Sequence, residues 1–313
     1  MISCTLLGSS GTLPKPDRGL TALYLNIGGD GVLIDCGEGT QVNFTSAKKS
    51  FSNLQVICIT HCHADHVFGL PGLLVSLDQT LKTSLDMKRD ANIVLIAPKA
   101  SKSVIEALLS ALTFAKLRVI KVWIDFGVEE SDFEFPKYKI RAFRLCHSID
   151  CYGYVIEEVV NDPFSMSKAN SMPISEESWK FLQAGHRIIE DDEVYSVEDI
   201  TSGKRSGARV VYATDTLPCD NLRRNAIDTD LAVLEGMYFD KETSAVVLES
   251  KHMVFTEAAE IAREAGTDTL WLTHFSPSIV YPKDGLPAVH EIFQNAVCGY
   301  CGLSKEVFNT AKV

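Results

Sequence analysis

Three histidines and one aspartate lie close together in the sequence THCHADH at positions 60–66. The apolar run Val56–Ile59 comes directly before them and is typical of a buried strand, so the polar cluster is expected at a strand end. Imidazole and carboxylate are the groups that zinc and similar divalent metals prefer. The first two histidines can leave an extended segment on one side, and the aspartate and third histidine follow one turn later. The motif therefore predicts a metal site, with ligands to spare for a second metal.

Three more metal-capable residues follow other apolar, strand-like runs, namely His147, Asp215 and His274. Taken singly, each histidine could be an ordinary buried residue, but their shared position just past a strand favours metal ligands. A carboxylate has two oxygens, so Asp215 could bridge two metals. His186 and His290 lack this context, and we expect them to be structural or surface residues.

Composition and charge narrow the class of protein. The chain has 313 residues, of which 46% are apolar, which supports a substantial core. It has no apolar run long enough for a membrane span, and its start reads as a strand rather than a signal peptide. The nine cysteines are scattered and odd in number, which favours reduced thiols in the cytoplasm. Cys298 and Cys301 are accordingly expected to be free thiols rather than a metal or redox site.

Strands and helices are expected to alternate through much of the chain. A glycine-rich turn at 28–31 is expected to join two strands into a hairpin, and helices are expected at about 70–81 and 99–114. Further strands are expected at 93–96, 117–124, 138–145, 152–159, 209–213, 231–234 and 269–273, and further helices at 217–226 and 256–265. Two strand-rich halves suggest an α/β fold with two sheets packed face to face and helices outside, in four layers.

Residues 161–207 break this alternation. They contain two prolines and several glycines with few apolar pairs, and they are too many for an ordinary loop. The segment is therefore either a functional projection or disordered. Its two aromatic residues, Trp179 and Phe181, could stack on bases, but a small hydrophobic anchor is the stronger expectation.

The chain resembles the metallo-β-lactamase superfamily and, within it, the short form of ribonuclease Z, over essentially its whole length. The resemblance rests on the cluster at 60–66 and on the strings FGLPGLL at 68–74, DCGEGTQ at 35–41 and LTHFS at 272–276. The cluster is shared across the superfamily, whereas the strings at 68–74 and 35–41 are more particular to ribonuclease Z. The resemblance implies a single domain, residues 1–313, with a metallo-β-lactamase-like αββα sandwich and an inserted arm, residues 161–207, that grips tRNA.

The resemblance also implies a set of functional residues. It implies two zinc ions per chain, with manganese or another divalent metal as the alternative. One zinc would be held by His61, His63 and His147, the other by Asp65, His66 and His274, with Asp215 between them. Glu235 and His252 would handle protons together with Asp65, and Arg18 and Ser276 would contact substrate.

The chemistry expected of such a site is hydrolysis of a phosphodiester. Two metals bridged by water lower the pKa of that water, and the resulting hydroxide attacks phosphorus in line. His252, oriented by Glu235, would protonate the departing oxygen. The resemblance implies removal of the 3′ trailer from precursor tRNA by a cytoplasmic homodimer with no membrane association.

The charge of the arm keeps a second substrate class open. Residues 161–207 contain five Lys and Arg against nine Asp and Glu, a net charge of −4 within a chain of net charge −11. Phosphate contacts usually come from Lys and Arg. The alternative is therefore a hydrolase of small phosphodiesters or sulfate esters on the same site. A non-catalytic binding protein is disfavoured by the complete set of ligands.

Overall fold

Two seven-stranded β-sheets contain most of the apolar runs in the sequence. The structure, a computed structural model, describes residues 1–83, 91–203, 205–239 and 250–309. Among the helices in these ranges, none is long and apolar enough to cross a membrane. The described chain divides into two compact units, one formed by Met1–Glu158 with Ala208–Val313 and the other by Val159–Gly207.

The first sheet is mixed, with four parallel strands at one side. Its order along the sheet is β16-β1-β2-β3-β4-β5-β6, and β3 to β6 run parallel. These strands are β1 Ile2–Gly8, β2 Ala22–Ile27, β3 Asp30–Ile34, β4 Leu54–Cys58, β5 Ala91–Pro98, β6 Leu117–Ile124 and β16 Ser304–Val307. Its helices are α1 Thr40–Ser46, α2 Ala64–Val67, α3 Leu70–Thr83 and α4 Lys102–Ser110.

The second sheet has the order β15-β14-β13-β12-β9-β8-β7. The strands β12 to β15 are parallel, and β7, β8 and β9 pair antiparallel. The strands are β7 Glu130–Glu134, β8 Tyr138–Arg144, β9 Tyr152–Glu158, β12 Arg209–Ala213, β13 Leu231–Glu235, β14 Leu270–Thr273 and β15 Ala296–Cys298. Its helices are α7 Asp220–Ala226, α8 Phe255–Glu264 and α9 Leu286–Ile292.

Three apolar clusters define the layers of this first unit. The central cluster joins inward side chains of both sheets, such as Leu25 and Val56 from one and Tyr154 and Val233 from the other. A second cluster packs α1, α3 and α4 against the outer face of the first sheet, and a third packs α7, α8 and α9 against the second. The predicted four-layer αββα arrangement is confirmed.

The predicted elements differ from the observed ones mainly at edges. The hairpin of β2 and β3 and the strand β6 are confirmed, but the helix expected over 99–114 is the short turn Lys99–Ser101 followed by α4. Within the two seven-stranded sheets, the strands β7, β15 and β16 were not predicted from the sequence, and all three lie at sheet edges. β7 alternates exposed and half-buried residues, so it lacks an apolar run.

The second unit, Val159–Gly207, has secondary structure and a core of its own. It contains α5 Met166–Asn170, α6 Glu176–Gln183, and the paired strands β10 Ile188–Glu190 and β11 Glu193–Tyr195. Trp179 packs on this core, as expected, whereas Phe181 is exposed. Lys204 lies outside the described residues. The assignment of one domain with an inserted arm stays a prediction.

A buried hydrogen bond from Tyr154 joins the second sheet to the first. The hydroxyl of the buried Tyr154 donates to the carbonyl oxygen of Ile59 at 2.7 Å. Because Tyr154→Phe leaves that buried carbonyl without a donor, we expect the free energy of unfolding in urea to fall by about 1–3 kcal/mol. Tyr138→Phe is the matched control, since the buried Tyr138 hydroxyl has no hydrogen-bond partner among the described residues. Equal losses in both variants would contradict this account.

Candidate metal centre

The candidate ligands lie where strands of both sheets end. The cluster at 60–66 follows β4, and His147, Asp215 and His274 follow β8, β12 and β14. Since β8 and β12 both run antiparallel to β9, they point the same way and end at one edge of the second sheet. Parallel strands of a sheet present their carboxyl ends at one edge, where ligands commonly bind.

Two imidazoles of the cluster are held through their Nδ1 atoms. The hydroxyl of Thr60 lies 3.0 Å from Nδ1 of His61, and a carboxylate oxygen of Asp35 lies 2.8 Å from Nδ1 of His66. Both rings therefore present Nε2 to the centre of the site. Partners of this kind on the far nitrogen fix the orientation and tautomer of a metal-binding histidine.

Asp35 is the residue whose role the sequence analysis missed. Its fully buried carboxylate accepts hydrogen bonds from the backbone and hydroxyl of Thr60, at 2.9 and 3.0 Å, and from the hydroxyl of Tyr212 at 3.0 Å, in addition to His66. The signal in the sequence was an aspartate placed directly after a strand. Its function as an acceptor rather than a ligand depends on neighbours 25 and 177 residues away.

The predicted ligands gather into overlapping groups. Each group is a set of residues whose candidate ligand atoms, one per residue, all lie within 4.8 Å of one another. The first group is His61, His63, His147 and Asp215, the second is Asp65, His66 and His274, and the third is Asp215, His252 and His274. Oδ2 of Asp215 lies 3.2 Å from Nε2 of His66 and of His274. Oδ1 of Asp215 lies 3.8 Å from Nε2 of His61. The carboxylate thus faces both sides of the site, as bridging requires.

Buried atoms without partners test whether a cation fits here. Nε2 of His66, His147 and His274 and Oδ2 of Asp215 are buried and have no aligned hydrogen-bond partner among the described residues. Burying such atoms unpaired is costly, and native proteins rarely leave them so. Divalent cations accept electron pairs from atoms of these kinds, and imidazole with carboxylate is a donor set suited to zinc. The residues present fit a metal centre.

Of the buried groups, His61 and Asp215 have pKa shifts that favour the metal-binding form, whereas at His66 and His274 burial lowers the pKa but neighbouring carboxylates raise it more. Burial lowers the pKa of His61 well below its ordinary value, so the ring stays neutral, the form that binds metal. Burial alone would raise the pKa of Asp215, but the surrounding histidines, His274 and His66 foremost, lower it well below its usual range. An ionised carboxylate therefore lies at the middle of the cluster.

Glu235 and His252 form a buried pair beside this cluster. Nδ1 of His252 lies 2.8 Å from Oε2 of Glu235, while Oε1 of Glu235 accepts from the backbone of Thr216 at 2.6 Å. Burial opposes the charged form of His252, but Glu235 outweighs it and raises the pKa of the imidazole. The pair leaves Nε2 of His252 as the nitrogen able to carry a proton to another molecule.

Backbone conformation at the site is unusual. Asp35, Asp215 and His274 all have positive φ, of 60°, 57° and 56°, and so does Thr12, whose backbone N–H donates to the Asp65 carboxylate at 2.7 Å. Left-handed backbone at a residue other than glycine is uncommon and clusters at functional sites. Asp35, Asp215 and His274 lie one or two residues after the ends of β3, β12 and β14.

The structure does not gather every predicted site residue into the centre. Arg18 is buried, its Nη2 donates to the carbonyl of Ile279 at 2.9 Å, and its guanidinium carbon lies 5.6 Å from the centre of the Phe275 ring. The Ser276 hydroxyl lies 2.8 Å from that of Ser278. Their contact with substrate stays a prediction. The other residues considered in the sequence lie outside the cluster. His186 is exposed in the second unit, and Nε2 of His290 forms a hydrogen bond with the carbonyl oxygen of Ala296. Cys298 and Cys301 are free thiols.

Comparison with solved structures identifies the class of fold. The short form of human tRNase Z (ELAC1) aligns with a TM-score of 0.69 at 19% identity, covering 97% of this chain and 99% of that one. The metallo-β-lactamase fold protein YhfI from Bacillus subtilis aligns with a TM-score of 0.67 at 18% identity, covering 98% and 100%. The first unit is therefore the two-sheet core of a metallo-β-lactamase fold.

Sequence comparison narrows the class to a family. A ribonuclease Z of Agathobacter rectalis is 38% identical over 307 residues, which is 98% of each chain. A family model described as Anti-Pycsar protein Apyc1 matches residues 2–191. The chain belongs to the ribonuclease Z family and, through residues 2–191, to the family of that model. The predicted resemblance is confirmed.

The Asp35 carboxylate should affect the metal affinity of the site, because it orients the His66 ring. We expect Asp35→Asn to lower metal affinity about 10–100-fold, because the amide no longer offers His66 a charged acceptor. Competition with a chromogenic chelator measures the affinity. Asp78→Asn is the control, since Asp78 is an equally buried carboxylate that accepts from the backbone of 115–117 rather than from a site histidine. Unchanged affinity in Asp35→Asn would contradict the orienting role.

Proposed function

We propose that this protein is a metal-dependent endoribonuclease that removes the 3′ trailer from precursor tRNA. The observation that carries the proposal is family membership over the full chain, since the relative named ribonuclease Z covers 98% of it. The described residues include a site with the groups such a reaction needs, namely a cation-binding cluster and a buried proton-carrying pair. Fold alone would not justify the proposal, because one fold serves many reactions.

The proposed cofactor is two zinc ions per chain, with manganese as the alternative. His61, His63 and His147 would hold one ion, Asp65, His66 and His274 the other, and Asp215 would touch both. Support comes from the two opposed groups of donor atoms and from the two faces of the Asp215 carboxylate. When bound, such ions lower the pKa of a water molecule and offset charge that develops on phosphoryl oxygens.

The residues of the chain then position and move protons. Asp65 is held by the backbone N–H of Thr12 and would orient the attacking water or accept its proton. His252 would donate a proton from Nε2 to the leaving 3′ oxygen of the tRNA body, since Glu235 favours the charged ring. General-acid catalysis of this kind typically contributes ~10²–10⁴-fold in rate.

We further propose that the protein acts as a homodimer in the cytoplasm on precursor tRNA. The nine free cysteines support a reducing compartment. The exposed groove between the start of α3 and α4, lined by Phe68, Pro71, Val104 and Leu108, supports a partner surface because large exposed apolar patches mark interfaces. A second copy of the chain would cover this groove, and sedimentation would then give the mass of a dimer.

A second candidate function is hydrolysis of small phosphodiesters. One observation favours it: residues 161–207 have a net charge of −4. A segment of that sign contributes little to binding a polyanion. The same metal cluster would serve either substrate, so the two functions differ only in what surrounds it.

One assay separates the two functions. The purified, zinc-loaded protein is offered a precursor tRNA with a 3′ trailer and, separately, bis(p-nitrophenyl) phosphate. We expect cleavage just after the discriminator base, leaving a 3′ hydroxyl. Turnover of the small ester without cleavage of tRNA would reject the endoribonuclease. His63→Ala is the control for the metal: we expect clearly lower metal content by elemental analysis and loss of both activities.

Replacement of the second unit tests its role in tRNA binding. Glu158 and Ala208 are already joined by a backbone hydrogen bond of 2.9 Å next to the antiparallel pair of β9 and β12, so a two-residue Asn-Gly turn can replace residues 159–207. We expect small-ester hydrolysis to persist and precursor tRNA cleavage to fall at least about tenfold, because the proposed endoribonuclease uses this segment to hold tRNA despite its net charge of −4. Undiminished tRNA cleavage would show that the segment is no exosite.

A further inference from the structure

The loops that bear Glu235, His252 and His274 continue into a second concave site. Past Glu235 the chain reaches Tyr238 and Phe239, and past His274 it reaches residues 278–281. Backbone hydrogen bonds tie these loops together: the N–H of Ser276 donates to Met237 at 3.1 Å, and the N–H of Phe255 donates to Tyr238 at 3.0 Å. The second site is therefore built on the same frame as the metal centre.

The cavity at this place measures about 340 Å³. Its walls are aromatic and aliphatic, from Tyr238, Phe239, Ile279 and Tyr281, and the Ser278 and Asp284 side chains add polar groups. Tyr281 is 69% exposed, so much of its ring is accessible to a ligand. Aromatic and aliphatic walls with a carboxylate among them suit a planar, partly polar ligand.

The cavity has a rigid floor. Ile279 is buried, and its carbonyl oxygen accepts from Nη2 of Arg18 at 2.9 Å and from the Lys15 ammonium at 3.2 Å. The Phe239 ring packs against Phe255 with centroids 5.1 Å apart. Pre-organised walls reduce the entropy cost of binding, so the site is suited to recognition rather than to chance contact.

We propose that this cavity binds a nucleobase next to the scissile phosphate, stacked on Tyr281, with Asp284 accepting from its exocyclic amino group. The inference rests on the proposed phosphodiester hydrolysis and adds a specificity site to it. Stacking on an aromatic ring accepts any base, whereas a carboxylate acceptor prefers cytosine or another amino-bearing base over uracil. Arg18 then acts as a positioning residue for the cavity floor.

Binding experiments test the cavity independently of catalysis. Calorimetry with the full-length zinc-loaded protein compares CMP, UMP and ribose 5-phosphate. We expect CMP to bind most tightly, and Tyr281→Ala to weaken CMP binding about tenfold while Tyr281→Phe retains it, because the ring supplies the stacking. Asp284→Asn should bring the affinities for CMP and UMP close together. Tyr300→Ala, which removes another exposed tyrosine that lies outside the cavity, is the control and should bind CMP as the unmodified protein does.

Hydrolysis separates failure of this inference from failure of the proposed function. Methyl p-nitrophenyl phosphate reports the phosphodiester chemistry, and cytidine 5′-(p-nitrophenyl) phosphate adds a base to it. We expect Tyr281→Ala to lower kcat/KM for the cytidine ester about tenfold more than for the methyl ester. Equal losses for the two esters, or CMP and ribose 5-phosphate bound alike, would overturn the nucleobase site. Base-dependent binding without any hydrolysis would instead overturn the proposed function and leave the site intact.

Discussion

The carboxylate of Asp35 connects the fold to the chemistry. Asp35 directly follows β3 of the first sheet and accepts a hydrogen bond from the hydroxyl of Tyr212 in the second sheet. The same carboxylate holds the ring of His66 through its Nδ1. A buried carboxylate of this kind is tolerable because both of its oxygens accept hydrogen bonds. The two sheets must therefore keep their spacing for the imidazole to keep its direction, so packing and ligand geometry are set by the same contact.

Much of the site could be predicted from the sequence because its residues share one local context. His61, His147, Asp215 and His274 all follow apolar runs, and parallel strands bring such ends to one edge. The function of Asp35 could not be predicted, since it depends on Tyr212 far along the chain. The edge strand β7 was not predicted for a different reason, because a strand with one solvent-exposed face and few apolar residues contains no apolar run.

Residues 161–207 show the limit of periodicity as a signal. Their core residues, Ala169, Ile174, Leu182, Tyr195 and Ile200, are spread over short elements, so no window contains enough of them to predict a folded unit. Their charge was legible from composition and remains the strongest reason to weigh a small substrate against tRNA. The charge of this segment thus bears on the substrate, although the spacing of its apolar residues did not predict its structure.

The left-handed turns at Asp35, Asp215 and His274 limit which residues can stand there. Aspartate, asparagine, histidine and glycine tolerate this backbone better than other residues do. At the candidate ligands Asp215 and His274, only aspartate and histidine of these four also bind metals well. Backbone geometry and coordination chemistry therefore favour the same few residue types there, and glutamate, although chemically close to aspartate, is disfavoured at Asp215 by the backbone conformation rather than by its charge. Few amino-acid substitutions are therefore compatible with both the backbone and the metal at these positions.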